Sequence, residues 1–470
     1  MAAFQYRPRI LIFGIIFIGL LTFINPSYDL YSSKYAFLLM SLLFVILISI
    51  KSNGYLINTH NLFALGIFWF IWIPLFDILF IHQVIPYIGL FETRMDDLSS
   101  SDDSSFVKII FFTSLLILSY VCIVSLISSL FKQPQTPVKN IGNGAHVNYM
   151  QLQICLFVLL ILYFILILNN VLNPVEVTHW SEVQSHGSGT SGYILSNINF
   201  LLTSMVFFLL IYTYNNPKVS RTIWLLVLFL VAEIIVFNFL ENSRIFLLSF
   251  LVGLAAVFER LGIKINWKIF FVFCVFFFAF MVFVSLRRSF PDLDLIQLIS
   301  EIDVFNDISF FNIARKEFEI YSGIGYWVTL YDLNKFQNFP YSDAAYVFKM
   351  LFFWLPSDQF NFQEEPFTSY LGFYLTNDPL FSCNITSIGE LALMFGWFSI
   401  LVLGVTFGIF TYLLDIKYLR KFKNFNFLIF AVIILQIMRG PFYYFMSQIL
   451  LLTLAWWLIY KFFIRKERSV

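Results

Sequence analysis

The sequence predicts an all-α polytopic membrane protein with about twelve transmembrane helices and one large outward loop of short amphipathic helices. Two observations support this fold class. Hydrophobic residues make up 60% of the 470 residues, charged residues make up 12%, and the mean hydropathy is +0.82. A soluble domain is about 45–50% apolar and about 25% charged. Apolar runs of roughly 17–25 residues also recur along the chain, which is the length that crosses a hydrocarbon core of about 30 Å.

The apolar runs divide the chain into an N-terminal bundle of about nine helices (1–286), a large loop (287–388) and C-terminal helices (389–470). The predicted helices are 8–26, 35–50, 61–81, 106–131, 150–169, 195–214, 222–240, 245–258, 269–286, 389–414, 427–438 and 442–463. The runs after Arg244 and before Arg439 are the shortest, so a broken or re-entrant segment remains an alternative there.

Basic residues predict the orientation of these helices. With the N-terminus inside, the cytoplasmic segments hold 18 of the 29 Lys and Arg residues. They are Arg7, Arg9, Lys51, Lys132, Lys139, Lys218, Arg221, Arg260, Lys264, Lys268, Lys417, Arg420, Lys421, Lys423, Lys461, Arg465, Lys466 and Arg468. The short outward segments hold Lys34, Arg94, Lys108, Arg244 and Arg439. The positive-inside rule therefore predicts that both termini are cytoplasmic and that the loop 287–388 lies outside.

Arg439 is the clearest candidate for a functional residue, because an ionisable group at membrane depth costs several kcal/mol unless it is paired or hydrated. Apolar sequence lies on both sides of it, and Gly440-Pro441 would break the helix beside its guanidinium. The structural alternative is an interfacial arginine that caps a helix hairpin. A turn needs Gly-Pro but does not need Arg, which favours a functional role.

Arg244 lies in a very short break between two apolar runs. Glu241 precedes it by three residues, so the two side chains can pair on one helix face, and that pair is the structural alternative. Glu233 lies about two turns before Glu241, near the same face. We expect Arg244 to bind a ligand and either Glu241 or Glu233 to orient it.

Further arginines follow the ninth predicted helix on the outer side. Arg287 and Arg288 leave the membrane there, and Arg315 lies in an amphipathic stretch of the loop. Snorkelling to lipid phosphate and a solvated helix face are the structural alternatives. Guanidinium groups are fixed, always-charged forks that match phosphate oxygens, so these residues predict a phosphorylated ligand at the outer leaflet.

One carboxylate, Glu390, opens the tenth predicted helix in the segment Thr386–Leu391. A carboxylate there can accept a proton from a substrate on the outer side. Its structural alternative is an acid that stabilises the positive end of the helix dipole.

Motifs of several enzyme classes are absent from the sequence. It contains no P-loop, no HExxH, no GxSxG and no DxD-type metal cluster, so nucleotide hydrolysis, zinc proteolysis and nucleotide-sugar transfer lack support. Three of its four cysteines, Cys122, Cys155 and Cys274, lie in apolar runs and form no disulfide or zinc framework. We expect no metal, no cofactor and no nucleic-acid partner.

An ordered set of short motifs resembles the O-antigen polymerase, or oligosaccharide repeat-unit polymerase, family (Wzy type). The motifs are Asn242-Ser243-Arg244, Leu286-Arg287-Arg288, Phe353-Trp354-Leu355-Pro356, Thr386-Ser387-Ile388-Gly389-Glu390, Phe395-Gly396-Trp397 and Met438-Arg439-Gly440. The resemblance covers the helix count, the loop position and roughly residues 239–445. Many members carry a basic residue after the Trp-Pro element of the loop, whereas Ser357-Asp358 follows Pro356 here.

The resemblance implies a multi-pass enzyme of the bacterial inner membrane with its active site facing the periplasm. Its substrates would be undecaprenyl-pyrophosphate-linked oligosaccharides, as donor and as acceptor, with membrane lipid and a chain-length regulator protein as further partners. Arg244, Arg288 and Arg439 would stabilise the pyrophosphate leaving group without a metal. Substrate contacts would come from Arg287, Arg315 and Glu241. Glu390 would accept the proton of the attacking hydroxyl.

Other functions share parts of this pattern. A ligase that transfers finished glycan from the same carrier has the same membrane plan and the same leaving group. A flippase or another transporter of lipid-linked oligosaccharide would favour charges spread through many helices around a central cavity. A membrane scaffold without catalytic activity would not need arginines at membrane depth.

Overall fold

The computed structural model describes a subset of the chain, which is helical apart from one two-residue strand pair. The described residues are 30–50, 57–81, 103–130, 146–147, 149–172, 206–207, 209–210, 221–240, 244–260, 275, 386–395, 397–413, 438 and 464–465. The predicted loop 287–388, apart from its last three residues, and the predicted helices 8–26 and 442–463 lie outside these residues. The helices predicted at 195–214, 269–286 and 427–438 are described at a few positions, and each of those positions is helical.

Most of the predicted apolar runs within the described residues form helices, and the ends of these helices differ from the predicted ends by a few residues. In chain order the elements are α1 (Leu30–Ser49), α2 (Thr59–Ile67), the π-helix π1 (Phe68–Trp72), α3 (Ile73–Phe76), the π-helix π2 (Asp77–Ile81), α4 (Asp103–Leu130), β1 (His146–Val147), α5 (Tyr149–Leu172), α6 (Arg221–Leu240), α7 (Arg244–Arg260), α8 (Ser387–Phe395), α9 (Trp397–Tyr412) and β2 (Ile464–Arg465). The short run after Arg244 is helical through Arg260, so it is not broken.

The composite helix, residues 59–81, consists of α2, π1, α3 and π2. Asn58 caps its start, because its side chain accepts a hydrogen bond from the Asn61 amide at 2.8 Å. Pro74 lies between the two π-helical turns. A proline has no amide proton and its ring displaces the preceding carbonyl, so the hydrogen-bond ladder shifts locally from α to π spacing.

Aromatic rings join α1 to the composite helix. Phe37 lies 5.4 Å from Trp72 and 5.7 Å from Phe80, measured between ring centroids. Nearer the other end of α1, Phe44 stacks on Phe68 at 5.8 Å. Residue numbers rise along α1 while they fall along its neighbour, so the two helices are antiparallel. Aromatic pairs of this kind each contribute about 0.5–1.5 kcal/mol beyond their burial.

Two glycines bring α9 against α4. A methyl group at Gly404 would lie 2.7 Å from the Leu116 carbonyl oxygen and would overlap Ser119, and one at Gly408 would overlap Ile123. Residue numbers rise together in the two helices, so α4 and α9 are parallel. The spacing Gly-x-x-x-Gly is typical of close helix pairs in membranes, where small residues let two backbones approach.

A second group of helices consists of α5, α6 and α7. Tyr163 of α5 meets Phe237 of α6 edge to face, with ring centroids 5.9 Å apart. Helix α7 begins four residues after α6 ends, and its Phe250 stacks on Phe207 at 5.5 Å. The group is connected to the composite helix at one end, where the Ile57 amide donates to the carboxylate of Glu259 at 2.9 Å.

The helix predicted at 389–414 is divided, and this corrects the prediction. The hydroxyl of Ser399 in α9 donates to the Leu391 carbonyl of α8 at 2.7 Å, although the two residues are eight positions apart. In a continuous α-helix such residues are separated by about 12 Å along the axis. Helix α8 therefore folds back beside the first turns of α9 instead of extending it.

Two of the described helical segments are long and apolar enough to cross a membrane, Thr59–Phe80 and Ile109–Ser128. They suggest membrane association by length and composition. Shorter apolar helical segments are Ser33–Ser49, Leu156–Leu168, Phe250–Glu259 and Phe398–Tyr412.

Candidate functional site

Most of the predicted site residues lie outside the residues whose side chains the structure describes. These are Glu241, Arg244, Arg287, Arg288, Arg315 and Arg439. The backbone of Arg244 is described, and it is the first residue of α7. The gathering of the arginines around one phosphorylated ligand therefore stays a prediction.

Glu390 is the predicted catalytic residue that the structure describes. It lies in the first turn of α8 and is 2% exposed. Thr386 caps this turn: its hydroxyl accepts from the Gly389 amide at 3.2 Å and its carbonyl from the Glu390 amide at 3.1 Å. The acid therefore stands at the positive end of the helix dipole, which was its structural alternative. A role in proton transfer is compatible with the same position.

The fold-back of α8 puts Glu390 inside the helix group. Its neighbours Thr386 and Ser387 are fully buried. Leu391, the next residue, is held by Ser399 of α9. A prediction from hydropathy alone put this acid at the outer end of a straight helix, whereas the described geometry puts it in a separate helix that lies beside the first turns of α9.

Met438, the residue before Arg439, is fully buried against α2. A methyl group at Gly66 would lie 2.7 Å from Met438 Cγ. Gly66 lies seven residues after the start of the composite helix at Thr59, well short of its end at Ile81. Thr59 starts the composite helix on the predicted inward side, so Met438 lies inside the helix group and nearer that side, whereas the prediction ended this run at the outer side. This position favours the re-entrant alternative for the run before Arg439.

A buried polar network joins four helices near the start of the composite helix. The His60 Nε2–H donates to the Leu47 carbonyl of α1 at 3.0 Å, because a carbonyl only accepts. The His60 Nδ1 and the Tyr120 hydroxyl share a hydrogen bond of 2.8 Å, and the hydroxyls of Tyr120 and Thr411 share one of 3.2 Å. Phe63 stacks on the Tyr120 ring at 4.2 Å. This network fixes α1, α2, α4 and α9 relative to one another.

These contacts also show which helix ends lie on the same side of the helix group. Thr411, near the end of α9, lies beside His60 at the start of the composite helix through Tyr120. Glu259, near the end of α7, lies beside Ile57. The starts of α7 and α9 are therefore each about one helix length away from that end. Arg244 starts α7, and the buried turn with Glu390 precedes α9, so both lie toward the opposite end.

Sequence reasoning missed two buried polar positions, Asp77 and Tyr120. Asp77 is 2% exposed in π2, and π-helical turns often mark functional sites. The Tyr120 network was missed because its partners are far apart in the sequence. Glu233, which the sequence did single out, is 5% exposed, and its Oε2 has no hydrogen-bond partner among the described residues. The side chain of Arg244 lies outside those residues, so a role of Glu233 in orienting it stays a prediction. A polar residue inside an apolar run was the signal that could have identified Asp77 and Tyr120.

Within the described part of the chain, no group of three or more His, Cys, Asp or Glu side chains is arranged to hold a metal ion. Comparisons with protein-family models, with curated proteins and with solved structures find no match to this chain.

Proposed function

We propose that this chain is a membrane glycosyltransferase of the inner membrane that joins undecaprenyl-pyrophosphate-linked repeat units at the periplasmic face. The observation that carries the proposal is a buried carboxylate, Glu390, in a helix that folds back into a strongly apolar helix group. The sequence adds arginines at the ends of apolar runs, which are the groups that a diphosphate leaving group requires.

Exposed apolar stripes support the membrane location. Helix α5 buries little of its surface and exposes large apolar side chains on the rest. Those exposed side chains are Met150, Ile154, Phe157, Val158, Ile161, Leu162, Phe164, Ile165 and Leu168. Helix α1 exposes a similar stripe of Tyr35, Leu38, Leu42, Val45 and Ile48. Apolar faces of this extent are unfavourable in water and favourable against lipid.

Contacts between helix ends support the proposed orientation of the described helices, although Met438 lies deeper than a straight crossing 427–438 would place it. The Lys34 ammonium lies 5.5 Å from the centroid of the Phe80 ring, and both residues belong to predicted outward ends. Ile57 and Glu259 belong to predicted inward segments. The antiparallel pair β1–β2 links a predicted cytoplasmic loop to the predicted cytoplasmic tail. The parallel pair α4 and α9 corresponds to two helices that are both predicted to run inward.

The proposed reaction uses the arginines and the acid in separate roles. The Glu390 carboxylate takes the proton of the attacking sugar hydroxyl, whose oxygen bonds to the anomeric carbon of the donor. The bond from that carbon to the pyrophosphate oxygen breaks at the same centre. Arg244, Arg288 and Arg439 stabilise the negative charge that develops on the leaving pyrophosphate. Contacts from Arg287, Arg315 and Glu241 hold the substrates.

The test is the length of the surface glycan in cells that carry Arg439→Ala. We expect no chain extension, while the protein level and the single-unit glycolipid stay as in the wild type, because the substitution removes transition-state stabilisation and leaves the substrate supply intact. Glu390→Gln should have the same effect at normal protein level. Glu259→Gln is the matched control, because that carboxylate lies at the opposite end of the helices and should leave chain length unchanged. Wild-type chain lengths in Arg439→Ala cells would remove this residue from the mechanism.

One observation favours a second function, a transporter of the same lipid-linked glycans. Discontinuous helices are typical of secondary transporters, and α8 and α9 form a break of this kind. Loss of the gene separates the alternatives. Without a polymerase, lipid A carries one repeat unit. Without a ligase, lipid A carries none while polymer accumulates on the carrier, and without a flippase the single unit stays in the cytoplasmic leaflet.

A further inference from the structure

Helix α6 contains a single carboxyl group, Glu233, in an otherwise largely apolar stretch. The side chain is 5% exposed, and its Oε2 has no hydrogen-bond partner within the described part of the chain. Buried polar atoms without partners are rare in native proteins, so each one requires an explanation.

The helices that pack on α6 in the described part of the chain are α5 and α7. The face that α5 buries consists of Leu156, Leu159 and Tyr163, and Tyr163 contacts Phe237, one turn after Glu233. The titratable residues of these two helices are Tyr149, Cys155 and Tyr163 in α5, and Arg244, Glu259 and Arg260 in α7. The two positively charged residues of α7, Arg244 and Arg260, thus lie at its two ends, and α5 contains no Lys or Arg.

An ionised carboxylate in such surroundings would be far more costly than a neutral carboxylic acid, which leaves at most one hydrogen bond unmade. We infer that Glu233 is a proton-binding site inside helix α6, a carboxyl group that holds its proton at neutral pH and reacts with apolar carbodiimides. The inference does not depend on the proposed glycan reaction, because the carboxylates given roles in that reaction are Glu390 and Glu241.

The chemistry of the modification requires the protonated form. The acid O–H adds across one C=N bond of the carbodiimide: the proton goes to nitrogen and the carboxyl oxygen bonds to the central carbon. The acyl group then moves from oxygen to nitrogen, which gives a stable N-acylurea without a leaving group. Phe229 and Val236, about one turn to either side of Glu233, are 57% and 44% exposed, so an apolar reagent dissolved in lipid reaches this edge of α6.

The experiment treats membranes that contain the full chain with dicyclohexylcarbodiimide and locates the adduct by peptide mass spectrometry. We expect one carbodiimide on the peptide that contains Glu233, and less adduct as the pH of the buffer is raised. A water-soluble, cationic carbodiimide should leave the same peptide unmodified. An adduct from the water-soluble reagent, no adduct from the apolar one, or labelling that does not change with pH would overturn the inference.

Two variants assign the adduct to this side chain. Glu233→Asp keeps a carboxyl group and should still be labelled, whereas Glu233→Gln should lose the adduct. Glu259→Gln is the control, because Glu259 accepts the Ile57 amide and is not buried among apolar side chains; its labelling at Glu233 should equal that of the wild type. The mapping on the wild-type chain stands even where a variant accumulates poorly.

Discussion

Tyr120 of α4 joins α2 and α9 through its side chain. Its hydroxyl contacts His60 and Thr411, and its ring stacks on Phe63. A buried hydroxyl with two partners determines which of several apolar packings is adopted, because each alternative leaves polar atoms unpaired.

Replacing Tyr120 with Phe should lower the free energy of unfolding by about 1–3 kcal/mol, because His60 Nδ1 and the Thr411 hydroxyl then lose a buried partner. The measurement is the thermal unfolding midpoint of the detergent-purified chain. Thr411→Val removes the distal hydroxyl and should lower the free energy of unfolding by less, about 0.5–1.5 kcal/mol.

Tyr35→Phe is the matched control, since Tyr35 is 62% exposed and should not change the midpoint. Equal midpoints for wild type, Tyr120→Phe and Tyr35→Phe would mean that the hydroxyl network contributes nothing to the packing of the four helices.

At the scale of elements, the close approach of α4 and α9 depends on two positions without side chains. Gly404→Leu places a branched side chain where Ser119 and the Leu116 carbonyl already lie. We expect the helices to separate and the free energy of unfolding to fall by about 1–3 kcal/mol or more, as for other overpacked sites. The readout is again the thermal midpoint, together with the yield of folded protein.

Val402→Leu adds a similar side chain to the same helix, but Val402 is largely exposed. It should leave the midpoint unchanged. A similar fall of the midpoint in both variants would show that any added leucine destabilises α9. It would contradict a specific role for the close approach of the helices at Gly404.

The elements also show how far hydropathy predicts structure. The run 222–240 predicted a helix, and α6 spans Arg221–Leu240. The prediction was close because the ends of a long apolar run mark the ends of such a helix. The run 389–414 is apolar throughout, so nothing in its hydropathy indicated that α8 folds back on α9. The Gly-x-x-x-Gly spacing of α9 is visible in the sequence and indicates a helix interface. The sequence does not show that α4 is the partner, because pairing between distant helices is a tertiary property.

At the scale of candidate residues, the sequence placed Glu390 correctly at the start of a helix, because Thr386 and the acid form a recognisable first turn. Its burial was not predictable, since burial follows from the fold-back. The hydrogen bonds of Tyr120 could not be predicted either, because Thr411 is 291 positions away.

At the scale of the whole molecule, the contacts between helix ends predict which positions face the same side of a membrane. In a background without the four native cysteines, Tyr35→Cys should react with a membrane-impermeant maleimide in cells whose outer membrane is permeable to it. Arg221→Cys should react after the inner membrane is opened, because Arg221 starts α6 on the predicted cytoplasmic side.

Both positions are exposed, so access to the protein surface does not distinguish them. Labelling of the two from the same side in intact cells would contradict the proposed crossings. It would leave the helix contacts themselves unaffected.

The parallel pairing of α4 and α9 has a consequence for how the chain is made. Gly404 emerges from the ribosome long after Leu116, and at about 5–20 residues per second the delay is about 15–60 s. During that time the face of α4 that carries Ser119 is not covered by α9. Biogenesis must therefore shield this face of α4 until α9 has been translated, and premature termination before α9 should leave a product that quality-control proteases remove.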